Sequence, residues 1–93
     1  MANNKTPLES RVQRDIKKYL TKIGYLVFKM EASEAGYPDL FCTRTETDCF
    51  FIETKRAGES ARPLQEYRHK KLRRKGRSVY VVDSLERLML FIK

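Results

Sequence analysis

The feature that most constrains this chain is a pair of short apolar runs, Leu40 to Arg44 and Cys49 to Lys55, separated only by the polar stretch Thr45-Glu46-Thr47-Asp48. Runs of this length, rich in aromatic and branched residues, read as strands, and a gap this short and polar joins them as a hairpin. A third run of the same kind, Tyr25 to Met30 (YLVFKM), precedes them directly after Gly24, so the three strands can form an antiparallel meander. Pro38, whose missing N–H suits the first position of a strand, stands at the head of the second run.

The rest of the chain reads as helices and one more strand. Thr6 as N-cap, Pro7 at the first helical position and Glu9 three residues past the cap open a first helix. Its apolar face is Leu8, Val12, Ile16, Tyr19, Leu20 and Ile23, and Gly24 stops it. After the loop RAGESA, Pro63 opens a basic helix to about Lys75, with Leu64, Tyr67, Lys71 and Leu72 expected on its inner side and Gly76 at its end. Ser78 to Val82 (SVYVV) reads as a fourth strand. Asp83-Ser84-Leu85-Glu86 caps a last helix, LERLMLFIK, apolar enough that part of it is expected to pack on a second subunit. The predicted fold is therefore α/β, in the order αβββαβα, with a mixed four-stranded sheet. Its last strand is reached through the basic helix by a right-handed crossover and pairs in parallel. At 93 residues the chain is expected to be one domain, residues 1–93.

Composition narrows the function classes. An apolar fraction of 41% supports a globular core, while 34% charged residues and a mean hydropathy of −0.62 argue against a membrane protein. The first ten residues lack the layout of a signal peptide, so a cytoplasmic location is expected. Cys42 and Cys49 form no metal-binding motif and His69 is the sole histidine, so zinc is not expected; the cysteines read as small apolar strand residues on either side of the hairpin turn. The net charge of +8 is concentrated: Arg62, Arg68, Lys70, Lys71, Arg73, Arg74, Lys75 and Arg77 face one acid, Glu66, in the same segment. Such a stripe suits a polyanion, most often nucleic acid.

Side chains alternate along a strand, so in FFIETK the residues Phe51, Glu53 and Lys55 share one face and Phe50, Ile52 and Thr54 the other. Asp39 can join Glu53 and Lys55 across the hairpin, depending on register. A three-residue loop that pairs Arg44 with Asp48 sets Asp39 opposite Glu53, and a five-residue loop sets it opposite or near a neighbour of Glu53. A four-residue loop without a bulge sets it opposite Thr54, on the wrong face. Two carboxylates and a lysine converging at strand ends suit a hard divalent cation, Mg²⁺ or Mn²⁺, with Asp39, Glu53 and the Thr54 backbone carbonyl as oxygen ligands. Lys55 could orient a water or neutralise developing phosphorane charge. One Glu-x-Lys triplet is expected by chance in a chain with eight Glu and ten Lys. The weight therefore lies in the constellation of GYPDL, FIETK and the basic helix that follows.

That constellation resembles the PD-(D/E)XK nuclease superfamily, and within it the virus-type replication-repair nuclease (VRR-NUC) domain. The resemblance runs over nearly the whole chain: Glu9, GYPDL with Asp39, FIETK with Glu53 and Lys55, Gln65, the Gly-terminated helix and SVYVVDS. It implies that Asp39 and Glu53 are metal ligands and Lys55 is the catalytic lysine. Glu9 is implied as an additional acid near the metals, serving a second ion, and Gln65 as a supporting polar residue. Glu9 also fits a capping box with Thr6, and Gln65 an ordinary first-turn position.

The expected function is a metal-dependent endonuclease that leaves a 5′-phosphate and a 3′-hydroxyl. By resemblance to stand-alone members it resolves four-way (Holliday-type) junctions during phage DNA replication, repair or recombination. One small domain presents one site, so a homodimer is expected to cut both strands of a symmetric branched DNA. The alternatives are a non-catalytic basic nucleic-acid-binding module, a nuclease preferring single-stranded or flap DNA, and a sequence-specific restriction-type enzyme, for which so short a chain leaves little base-reading material.

Overall fold

A computed structural model describes residues 9–92. The elements are α1 (Glu9–Lys22), β1 (Leu26–Lys29), β2 (Leu40–Thr43), β3 (Cys49–Thr54), α2 (Pro63–Arg74), β4 (Val79–Val82) and α3 (Leu85–Met89). The strands form one sheet in the order β1-β2-β3-β4, antiparallel from β1 to β3 and parallel between β3 and β4. Element order and mixed pairing agree with the sequence reading. The expected cap at Thr6 and Pro7, with Leu8, lies outside the described residues, as does Lys93.

The core follows from two periodicities. Val12, Ile16 and Leu20, one stripe of α1 at helical spacing, bury against Leu40 and Cys42 of β2 and Phe50 and Ile52 of β3, alternate residues on one sheet face. Tyr25, Val82, Leu88 and Ile92 complete this cluster. Gly24 lets α1 stop and the chain reverse at once into β1. At φ +104° it donates to Thr21 O, and Tyr25 N donates to Leu20 O at 2.9 Å, which satisfies two end carbonyls of the helix. Gly76 ends α2 with the same pair of bonds.

The hairpin takes the three-residue loop. Arg44 N donates to Asp48 O at 2.9 Å, and Thr45 Oγ1 accepts from Thr47 N and Asp48 N. Leu40 therefore pairs with Ile52, and one step further along the same register Asp39 faces Glu53.

Two expectations are corrected. The first concerns α2, of whose expected inner side, Leu64, Tyr67, Lys71 and Leu72, only Leu72 is turned inward. His69 is the buried residue of this helix; Leu64 and Tyr67 are 45% and 53% exposed, and Lys71 is exposed. Buried Glu53 and Lys55 require polar partners, and the helix rotates to offer Gln65 and His69, one turn apart, with Leu72 half-buried below them. The second concerns the last helix, which ends at Met89. Ser84 Oγ caps it through Arg87 N, and past Met89 a turn bonded to the Arg87 and Leu88 carbonyls carries Ile92 back into the core. Leu90 and Phe91 are left exposed on that turn.

Candidate active site

The C-terminal end of β3 is covered on both faces. Glu53, Thr54 and Lys55 are 1%, 0% and 5% exposed, although two of them are charged. Glu and Lys are rarely this buried unless something specific holds them. On the α2 side, Gln65 Nε2 donates to Glu53 Oε2 at 3.0 Å and Gln65 Oε1 accepts from Lys55 Nζ at 2.7 Å. The same oxygen accepts from Arg62 N at 2.9 Å, so a first-turn backbone bond fixes the amide that holds both charges. Lys55 Nζ also lies 3.8 Å from Glu53 Oε2. On the α1 side, Thr54 Oγ1 donates to Asp39 Oδ2 at 2.7 Å and accepts from Gln13 Nε2 at 2.9 Å. Thr54 N donates to the same Asp39 oxygen at 2.8 Å.

Asp39 is placed by the turn before it. Gly36, at φ +93°, lets the loop approach α2 so closely that a Cβ there would stand 2.9 Å from Cγ of both Leu64 and Arg68. Arg68 Nε donates to Ala35 O, and its guanidinium lies over the rings of Tyr37 and Tyr67. Met30 N, just past the end of β1, donates to Asp39 O and fixes the Asp39 backbone.

Glu9, Asp39 and Glu53 come together at this edge of the sheet. Each offers a carboxylate oxygen, and the three oxygens lie within 4.8 Å of one another. Partial burial pushes the Glu9 carboxyl above its ordinary value, the negative charges of Asp39, Glu53 and Glu59 push the same way, and Lys55 opposes them. Three crowded carboxylates, one almost wholly buried, form the all-oxygen donor set that a hard divalent cation takes. The N–H and C=O of a strand residue point to one side, so the bond from Thr54 N to Asp39 turns the Thr54 carbonyl toward Asp39 as well.

All five residues expected in the catalytic group, Glu9, Asp39, Glu53, Lys55 and Gln65, thus meet at one place. The basic residues do not form one stripe. Arg62, Lys70, Lys71, Arg73, Arg74, Lys75 and Arg77 are exposed around α2 and its end, Arg73 bonds Val79 O, and half-buried Arg68 is engaged with Glu34 and Ala35. Sequence reasoning missed the hydroxyl of Thr54, Gln13 and His69. The signal available for His69 was its spacing of four from Gln65, which places both on one helix face.

A mixed sheet at whose edge α1, α2 and the strand ends bring together three acids, a buried lysine and a bridging glutamine has a nuclease-type α/β fold. Among solved structures, one named VRR_NUC domain superposes with a TM-score of 0.83 at 30% identity, covering 90% of this chain and 92% of that one. A second, named VRR_NUC domain protein, gives a TM-score of 0.78 at 23% identity, covering 95% and 87%. No protein-family model and no curated protein matches the sequence. The chain belongs to the VRR-NUC domain family.

Proposed function

We propose that the protein is a Mg²⁺- or Mn²⁺-dependent endodeoxyribonuclease acting through one site per chain, with residues 1–93 forming a single nuclease domain. The observation that carries this reading is the gathering of the Glu9, Asp39 and Glu53 oxygens within 4.8 Å of one another beside a buried lysine. Asp39 and Glu53, with the Thr54 carbonyl, would hold the cation, and Glu9 would complete the shell or serve a second ion. When bound, the ion stabilises charge on a phosphoryl oxygen and lowers the pKa of a water.

The side chains do the rest. Gln65 holds Lys55 Nζ at 2.7 Å and so keeps a cation at the mouth of the acid cluster. There it can orient the attacking water or offset charge that develops on the phosphate. Thr54 fixes one oxygen of Asp39 from both its backbone and its hydroxyl, which leaves the other for the ion. The exposed cations of α2 would hold backbone phosphates, which positions DNA without reading its sequence.

The preferred substrate in this reading is a four-way junction cut by a homodimer. Exposed Leu26 and Phe28 on β1, and Leu90 and Phe91 after α3, support association, since exposed apolar surface marks interfaces. The test is incubation of labelled junction, duplex, flap and single-stranded DNA with the purified protein in Mg²⁺, Mn²⁺ or EDTA, beside Asp39→Asn. Metal-dependent, paired symmetric cuts in the junction that vanish in the variant are expected, with a dimer mass by light scattering. Tight binding without cutting in any metal would favour a nucleic-acid-binding module, and a monomer mass would remove the dimer.

A further inference from the structure

Among the described residues, two buried side-chain polar atoms lack a hydrogen-bond partner: Glu53 Oε1 and His69 Nε2. They face each other at 3.6 Å, and their side chains are 2% and 1% exposed. That separation lies beyond a hydrogen bond. A leucine at position 69 would remove one orphan but leave Oε1 of a buried carboxylate with no donor in reach, so what singles out His69 is the N–H it aims at Glu53. The other oxygen of Glu53 is already fixed by Gln65, one turn earlier on the same helix face.

We propose that His69 is a positioning residue for the metal site, its Nε2–H aimed at Oε1 from 3.6 Å so that Glu53 keeps one orientation. This rests on the reading of Glu53 as a metal ligand. Groups that orient a ligating carboxylate typically set affinity by about 10–100-fold. His69→Leu should therefore bind Mn²⁺ at least about tenfold more weakly by calorimetry, on protein shown by its thermal melt in EDTA to be folded at the assay temperature. His69→Gln places an amide N–H where Nε2 stood and should recover most of that loss; His69→Asn, which ends a bond shorter, should not. Wild-type Mn²⁺ affinity in His69→Leu, or no difference between the Gln and Asn variants, would overturn the role of His69. No Mn²⁺ binding by the wild type, or undiminished binding by Glu53→Gln, would instead overturn the metal site itself.

A separate observation concerns the opposite side of the site. A cavity of about 290 Å³ between α1 and the sheet is lined by Ser10, Gln13, Arg14, Lys17, Lys29 and Leu40. Three cations and no acid face it, and it borders the centre at two points: Leu40 follows Asp39, and Gln13 bonds the threonine that holds Asp39. We infer that this cleft takes the phosphodiester backbone next to the cleaved bond, so that DNA crosses the site between α1 and α2 rather than lying on α2 alone. This too rests on the reading of DNA as the substrate. Each phosphate contact contributes about 0.9 to the log–log salt slope of duplex binding. Combined Arg14→Ala, Lys17→Ala and Lys29→Ala should lower that slope by about 2–3, measured by fluorescence anisotropy of labelled duplex in EDTA, and Lys18→Ala should leave it unchanged. An unchanged slope in the triple variant would overturn the cleft, and a wild-type protein that binds no DNA at low salt would overturn the substrate.

Discussion

Thr54→Val exchanges a hydroxyl for a methyl at a position that is 0% exposed. The hydroxyl lies between Asp39 Oδ2, 2.7 Å away, and Gln13 Nε2, 2.9 Å away, and valine fills the same space without either bond. A hydrogen bond to a charged acceptor contributes about 1.5–3 kcal/mol, and the Gln13 amide, half-buried and able to reach water, adds about 0.5–1. The backbone bond from Thr54 N to Asp39 survives, so the expected cost is about 2–4 kcal/mol. Thr54→Ser keeps both bonds and loses a methyl, which costs about 1 kcal/mol. Urea unfolding in EDTA at pH 7 reads the difference as a midpoint lower by about 1 M or more for valine, at an m-value of about 1–2 kcal/mol/M. In an Asp39→Ala background the valine substitution should cost less, by at least about 1 kcal/mol, because the partner is gone. Equal stability of the Val and Ser variants, or no coupling to Asp39, would refute the view that this hydroxyl holds the carboxylate.

Three further outcomes follow from the same structure. The Glu9 carboxyl is raised in the folded protein above about 4.5, so its stabilising share is present below that pH and lost as pH rises through the folded value; Glu9→Gln should melt higher than wild type at pH 7 in EDTA, with the gap closing toward pH 4, and a lower melting temperature at pH 7 would contradict this. Burial pushes the Cys42 thiol up to about 12 while Cys49 is half-exposed, so a thiol reagent at pH 8 should modify one cysteine rapidly in the native protein and two in urea; two fast native thiols would refute the placement of Cys42. Gly36→Ala forces a Cβ to within 2.9 Å of α2 at φ +93°, which should cost roughly 1–3 kcal/mol in urea unfolding, and a neutral result would mean that the turn before Asp39 is less tightly docked.

Much of the architecture was legible because its core obeys simple periods. Val12, Ile16 and Leu20 mark the buried stripe of α1, and alternation in β3 separates Phe50 and Ile52 from Phe51 and Glu53. The hairpin register was not, because the loop carries no Asn-Gly or similar turn signal. It is fixed by Thr45 Oγ1 on the Asp48 amide and by Asp48 carboxylate bonds to the Tyr25 hydroxyl and Arg44. The rotation of α2 escaped for a different reason. A helix normally buries its apolar residues, but here the groups to be covered are Glu53 and Lys55, so Gln65 and His69 turn inward and Leu64 and Tyr67 outward. The meeting of Glu9 with Asp39 and Glu53 rested on resemblance, since neither spacing nor periodicity relates the first helix to the hairpin.

The most direct test of the acid cluster as a metal centre is anomalous diffraction from crystals soaked in Mn²⁺. One strong peak is expected within about 2.0–2.4 Å of oxygens from Asp39 and Glu53, with Glu9 in the same shell or on a second ion, and it should be absent in Asp39→Asn. Full Mn²⁺ occupancy elsewhere, with Asp39 and Glu53 still bonded only to Thr54 and Gln65, would contradict the account.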